Sequence, residues 1–148
     1  FVRGAVSITV ASCHDIRVPH LARGTGCRVA ADRRQLTVLL AASAGADVLA
    51  DIHTSGRVAV VFSLPQTHRT LQLKGNDARV VSLDPGDLAL AASYVDAFAN
   101  GLQALGYSGA VIRSVLRADA ADLVGIRFTP ASGSLQTPGP EAGQALRS

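Results

Sequence analysis

The sequence predicts a mainly β fold with flanking helices, its antiparallel strands curled toward a barrel, and three stretches carry that prediction. Val6, Ile8 and Val10 alternate with Ser7, Thr9 and Ala11, a period of two that turns one strand face toward a core. Residues Arg57 to Leu64 (RVAVVFSL) are apolar on both faces and rich in β-branched side chains, as in a central strand that Pro65 ends. Residues Arg69 to Gly75 (RTLQLKG) set Leu71 and Leu73 against Thr70, Gln72 and Lys74. Gly75 then breaks the alternation before Ala78 to Leu83 resumes it, which fits a strand that bends to curl its sheet.

The remaining elements follow in chain order. Arg17 to Arg23 and Gln35 to Leu40 carry strand-like apolar weight and are separated by Gly24-Thr25-Gly26 and the polar run Ala31 to Arg34. Ser43 is placed to cap a short helix with Val48, Leu49 and Ile52 inward and Gly56 as its stop. A longer helix at 85–105 opens with Asp84 as N-cap, Pro85 in the first turn and Asp87 near the positive end of the helix dipole. Its expected buried stripe is Leu88, Ala92, Val95, Ala99 and Leu102, flanked by Phe98 and Leu105, with Gly106 ending the run. Ser108 caps a third helix running to Arg117, with Ala110, Val111, Ser114 and Val115 inward, and Asp122 to Thr129 returns as the last strand. From Pro130 onward the composition changes to Ser, Gly, Pro and Thr, so 130–148 is expected to be an extended arm of a single domain spanning 1–148.

Composition excludes several classes. With 48% hydrophobic and 17% charged residues the chain has enough apolar surface to fold, and no apolar run reaches the roughly 18 to 20 residues of a membrane span. The opening segment makes a poor signal peptide, so the expected location is cytoplasmic; Phe1 in place of Met points to a natural chain that begins further upstream. Cys13 and Cys27 form no C-x-x-C pair, and adjacent Cys13 and His14 would face opposite sides of a strand, so no metal site is expected. The net charge of +3 comes from scattered arginines, with only Arg33 and Arg34 together and 4% aromatics, so no nucleic-acid partner is expected while an anionic ligand is. Gly24-Thr25-Gly26 lacks the remainder of a dinucleotide fingerprint, no G-K-[ST], G-x-S-x-G or H-E-x-x-H occurs, and His20, His53 and His68 stand apart on strands or helix ends.

Taken as one block, Leu36 to Gly75 runs strand (LTVLLA), short helix (ADVLADIHTSG), strand (RVAVVFSLP) and strand (THRTLQLKG). This order resembles the core of the pyridoxamine 5′-phosphate oxidase-like, FMN-binding split-barrel family. The resemblance implies an antiparallel split barrel that acts as a homodimer on a small-molecule ligand, with FMN as cofactor. It places the FMN phosphate at the turn holding Ser43, where no cation lies between Ala41 and Val48, with Arg23 or Arg69 as substitutes from neighbouring strands. It places Thr70, Gln72 and Lys74 along the flavin, Thr70 at the position of a ring-binding glutamine. The arm holds Gln136 to Gly143 where the oxidases carry an Arg-x-His element that grips substrate phosphate, so oxidation of pyridoxamine phosphate itself is not expected. A flavin-dependent oxidoreductase with unassigned substrate and catalytic residues is the first expectation. The alternative is a non-enzymatic dimer that has lost FMN and binds haem, a deazaflavin or nothing, with His20, His53 or His68 as haem ligands.

Overall fold

The computed structural model describes residues 1–14 and 18–146, and the expected strand start at Arg17 lies outside them. Two antiparallel sheets enclose the core. The five-stranded sheet has the order β2-β1-β5-β6-β9, from β1 (Ser7–Ser12), β2 (His20–Gly24), β5 (Val58–Ser63), β6 (Thr70–Gly75) and β9 (Ser132–Leu135). The four-stranded sheet has the order β3-β4-β8-β7, from β3 (Cys27–Val29), β4 (Leu36–Ala41), β7 (Arg79–Val81) and β8 (Leu123–Phe128). Helices α1 (Ala46–Ser55), α2 (Asp87–Gln103) and α3 (Gly109–Leu116) complete it.

Alternation along the strands fixes which side faces in. Register sets Ile8 opposite Phe62 and Phe62 opposite Leu71, and likewise Val10, Val60 and Leu73, so these rows line the interior. Facing them from the other sheet are Leu36, Val38, Leu40, Ile126 and Phe128, and all of these except Leu71 belong to or pack on one core. Strand β5 is central, as its two apolar faces demand.

The chain passes between the sheets at several points, and close contacts fix two of these crossings. At Thr25 the backbone N–H and the hydroxyl both bond to the carbonyl of Leu39, at 2.7 and 3.3 Å, passing the chain from β2 to β3. At Gly75 a Cβ would lie 2.7 Å from Phe128 Cδ2 and 2.9 Å from the Thr129 carbonyl, so only glycine fits where β6 gives way to β7. The expected bend at Gly75 is this crossing.

Several local expectations are corrected. The residue before α1 is Gly45, not Ser43, and no side chain caps that end; Gly56 does close α1, at φ 63°. The residue before α2 is Gly86 at φ 94°, not Asp84, because Asp84 is drawn to Arg28 at 2.7 Å and Arg127 at 3.5 Å. The stripe on α2 is shifted by one residue: Asp87, Tyr94, Phe98 and Ala99 are buried, while Leu88 is 50% exposed, Val95 and Leu102 are half-buried and Ala92 is exposed. Two contacts set that rotation. Asp87 accepts from Arg28 Nε at 2.9 Å, and Tyr94 donates its hydroxyl to the carbonyl of Val6 at 2.8 Å.

Helix α3 is capped by Ser108 as expected, its hydroxyl accepting from the Val111 N–H at 3.5 Å. Its inward face is Gly109, Ile112 and Leu116 instead of Ala110, Val111, Ser114 and Val115, since Ile112 and Leu116 offer more apolar surface to α2 at the same spacing. The strand at Leu123–Phe128 is not the last. After Pro130 the chain pairs β9 with β6, and Ala145 bridges back to Ser134.

Burial pushes the Tyr94 hydroxyl up to about 12, which keeps it a neutral donor at every working pH. Tyr94→Phe leaves the Val6 carbonyl without that donor and is expected to cost about 1 kcal/mol in a urea unfolding midpoint.

Candidate functional site

The outer face of the five-stranded sheet is where the polar half of β6 points. Strand register places Arg23, Thr9, Val61, Gln72 and Ser134 in one row across it. The next row holds Leu21, Ala11, Ala59, Lys74 and Ser132, and Ser7, Ser63 and Thr70 form a third. Small and β-branched side chains fill the middle of this face, with Leu21 67% exposed at its edge. Arg23 and Gln72 are three strand spacings apart, about 14 Å.

Four of the six residues expected to contact a cofactor are therefore brought onto one surface: Arg23, Thr70, Gln72 and Lys74. Arg23 donates to the Ser7 hydroxyl at 3.3 Å and borders a cavity of about 250 Å³ with Pro65, Phe98 and Val115. The Thr70 hydroxyl donates to the His68 carbonyl at 2.9 Å and shares a 2.8 Å bond with Ser63, which fixes its rotamer. Lys74 borders a cavity of about 280 Å³ at the end of the sheet, with Ser12, Cys13 and Arg57.

Arg69 is turned away, its guanidinium 5.0 Å from the centre of the Phe1 ring. Ser43 sits in the β4–α1 turn and is already engaged. Its N–H donates to Asp122 Oδ1 at 2.9 Å and its hydroxyl to Oδ2 at 2.5 Å, while the Ala42 N–H donates to the Asp122 carbonyl at 2.7 Å. The donors that the resemblance assigns to a flavin phosphate hold a carboxylate of the chain itself.

Sequence reasoning missed a second polar cluster. Asp51, 1% exposed on the inward side of α1, accepts from His14 Nδ1 at 2.5 Å and from His20 Nδ1 at 2.8 Å. Burial alone would raise the Asp51 carboxyl, but the two imidazole hydrogen bonds hold it below its ordinary value. The same bond raises His20, against partial desolvation, helped by the charges of Asp51 and Asp47. The signal available was an acid three residues after Val48, on the stripe that should be apolar. His53 and His68 stand exposed and apart from this cluster.

A cavity of about 410 Å³ lies between α2, α3 and the start of β8 and holds none of the six expected residues. Leu88, Ala92 and Val95, expected to be core, form part of its wall. Among the described residues no group of three His, Cys, Asp or Glu is arranged to hold a metal ion, and no helix is long and apolar enough to cross a membrane. Both cysteines are free, and burial pushes the Cys27 thiol up to about 12, so it does not act as a nucleophile.

No family model matches the chain, and no curated protein matches it. Solved structures do. An F420 reductase superposes with a TM-score of 0.58 at 18% identity, over 90% of this chain and 92% of that one. General Stress Protein 26 from Bacillus anthracis superposes at 0.54 and 16% identity, over 99% and 92%. A pyridoxamine 5′-phosphate oxidase-related, FMN binding protein from Nostoc punctiforme gives 0.50 at 17% identity, over 93% and 77%. The fold is that of the pyridoxamine 5′-phosphate oxidase-like proteins. At these identities of 16 to 18% the likeness concerns the fold.

Proposed function

We propose that this chain is a single split-barrel domain that pairs with a second copy through the outer face of its five-stranded sheet. On that face it binds a flavin-type cofactor and serves as a cytoplasmic flavin-dependent oxidoreductase of unassigned substrate. The observation that carries the proposal is the gathering of Arg23, Thr70, Gln72 and Lys74 on one exposed sheet face whose middle is built of Thr9, Ala11, Ala59 and Val61.

Each residue has a definite part. The Gln72 amide and the ordered Thr70 hydroxyl present donors and acceptors to the edge of a flat heterocycle, and Lys74 supplies a positive charge beside the same strand. Val61 and Ala59 give the ring an apolar bed from which water is excluded once a second copy covers it. A bound flavin would supply the hydride chemistry, and the protein's share is binding, orientation and charge. The ring end fits these residues. The phosphate end does not fit at Ser43.

Flavin fluorescence titration of the purified chain tests the proposal, with riboflavin and FMN as separate probes. Saturation by either at micromolar concentration is expected, weakened about tenfold or more by Gln72→Ala. Sedimentation should show a dimer at micromolar protein. Failure of both flavins to saturate below millimolar concentration would remove the cofactor assignment, and a monomer would remove the shared face.

A further inference from the structure

We infer that Asp122 acts as a built-in substitute for a ligand phosphate at the β4–α1 turn, so that the chain favours an uncharged flavin side chain over a phosphorylated one. The inference rests on the flavin assignment above and specifies which flavin the site takes.

The geometry is bidentate. Two oxygens of one carboxylate accept from the N–H and the hydroxyl of one serine, at 2.9 and 2.5 Å, the arrangement in which a phosphate would be held near the start of a helix. The acid is presented rigidly. Asp122 closes the 3₁₀ turn Ala120–Asp122, which Asp119 caps by accepting from the Ala121 N–H at 3.1 Å, and the Asp122 N–H donates to the Asp119 carbonyl at 3.0 Å. Its own carbonyl accepts from Ala42, so both sides of the residue are tied to the turn it fills.

Charge points the same way. The turn from Ala41 to Val48 contains no cation, and Asp47 adds a second carboxylate in the first turn of α1. A phosphate approaching Ser43 meets the Asp122 carboxylate, no counter-charge from the turn itself, and Ser43 donors that are already used. It must displace Asp122 and leave that carboxylate beside itself, whereas a ribityl chain ending in a hydroxyl meets no such opposition.

The test is a titration of the full chain with riboflavin and with FMN, followed by flavin fluorescence, in the wild type and in Asp122→Asn. Riboflavin should bind about tenfold or more tighter than FMN to the wild type, and Asp122→Asn should strengthen FMN about tenfold while shifting riboflavin by no more than about twofold. Ser43→Ala, at an exposed position, serves should the Asn variant fail to fold. It leaves both affinities unchanged if Asp122 fills the turn, but weakens FMN about tenfold if Ser43 holds the phosphate. Equal or tighter FMN binding by the wild type, or a ratio that Asp122→Asn does not move, overturns the inference and leaves the flavin assignment standing. Binding of neither flavin overturns both.

Discussion

Replacing Asp51 with alanine is expected to destabilise the chain by about 2 to 4 kcal/mol near pH 6, the loss of two charge-assisted hydrogen bonds offset in part by no longer burying a carboxylate. Asp51 is 1% exposed while His14 and His20 are 53% and 31% exposed, so the acid is the buried hub and the imidazoles are its link to solvent. The more exposed His14 contributes the smaller share, because water competes for its hydrogen bond. The His14–Asp51 bond also fastens the segment after β1 to α1, and Arg57, just past the end of that helix, holds the same segment by donating to the carbonyls of Cys13 and His14 at 3.1 and 3.2 Å.

The sign of the pH dependence follows from the two shifts. His20 is raised above 6.5, so its contribution is fully present below that pH and is lost as pH rises through the higher folded value. Asp51 is lowered below 3.8, so its contribution is present above that pH and is lost as pH falls through the lower folded value. The stability gap between wild type and Asp51→Ala should therefore be widest between pH 3.8 and 6.5 and narrower at pH 8. Urea unfolding of both proteins at pH 5, 6.5 and 8 measures it. A gap that does not change over that range would show that the imidazoles contribute nothing as charges.

What was legible in the sequence is what local rules encode. Alternation located β1 and β6, an apolar β-branched run located β5, and glycine at 56 and 75 marked a helix end and a sheet crossing, because each depends on a few neighbouring residues. The rotation of α2 was not legible. Leu88 and Val95 look better buried than Asp87 and Tyr94 until Arg28, 59 residues from Asp87, supplies an ion pair and Val6, 88 residues from Tyr94, supplies a carbonyl. The same holds for the site. Thr70, Gln72 and Lys74 share a face by period alone, and the resemblance adds Arg23, but Asp122 lies 79 residues from Ser43 and Asp51 lies 37 from His14. An apolar stripe interrupted by an acid shows that some distant partner exists without naming it.

Phe128→Ala is expected to cost about 3 to 5 kcal/mol, the range for emptying a phenylalanine site in a closed core. Phe128 is fully buried on β8 of the four-stranded sheet, yet its ring also faces Gly75 at the end of β6 in the five-stranded sheet, so one side chain wedges the two layers at their crossing. That position makes a stricter test possible. Gly75→Ala alone should cost about 1 to 3 kcal/mol, because the new methyl would meet the ring at 2.7 Å and the Thr129 carbonyl at 2.9 Å. With Phe128 already alanine, the ring contact is gone and the carbonyl contact stays, so the same change should cost about 1 kcal/mol less. Urea midpoints for the two single variants and the double variant give the coupling directly. Additive costs would mean that the ring moves aside for the methyl, and that the crossing at Gly75 is held by the backbone next to Thr129 and not by the aromatic wedge.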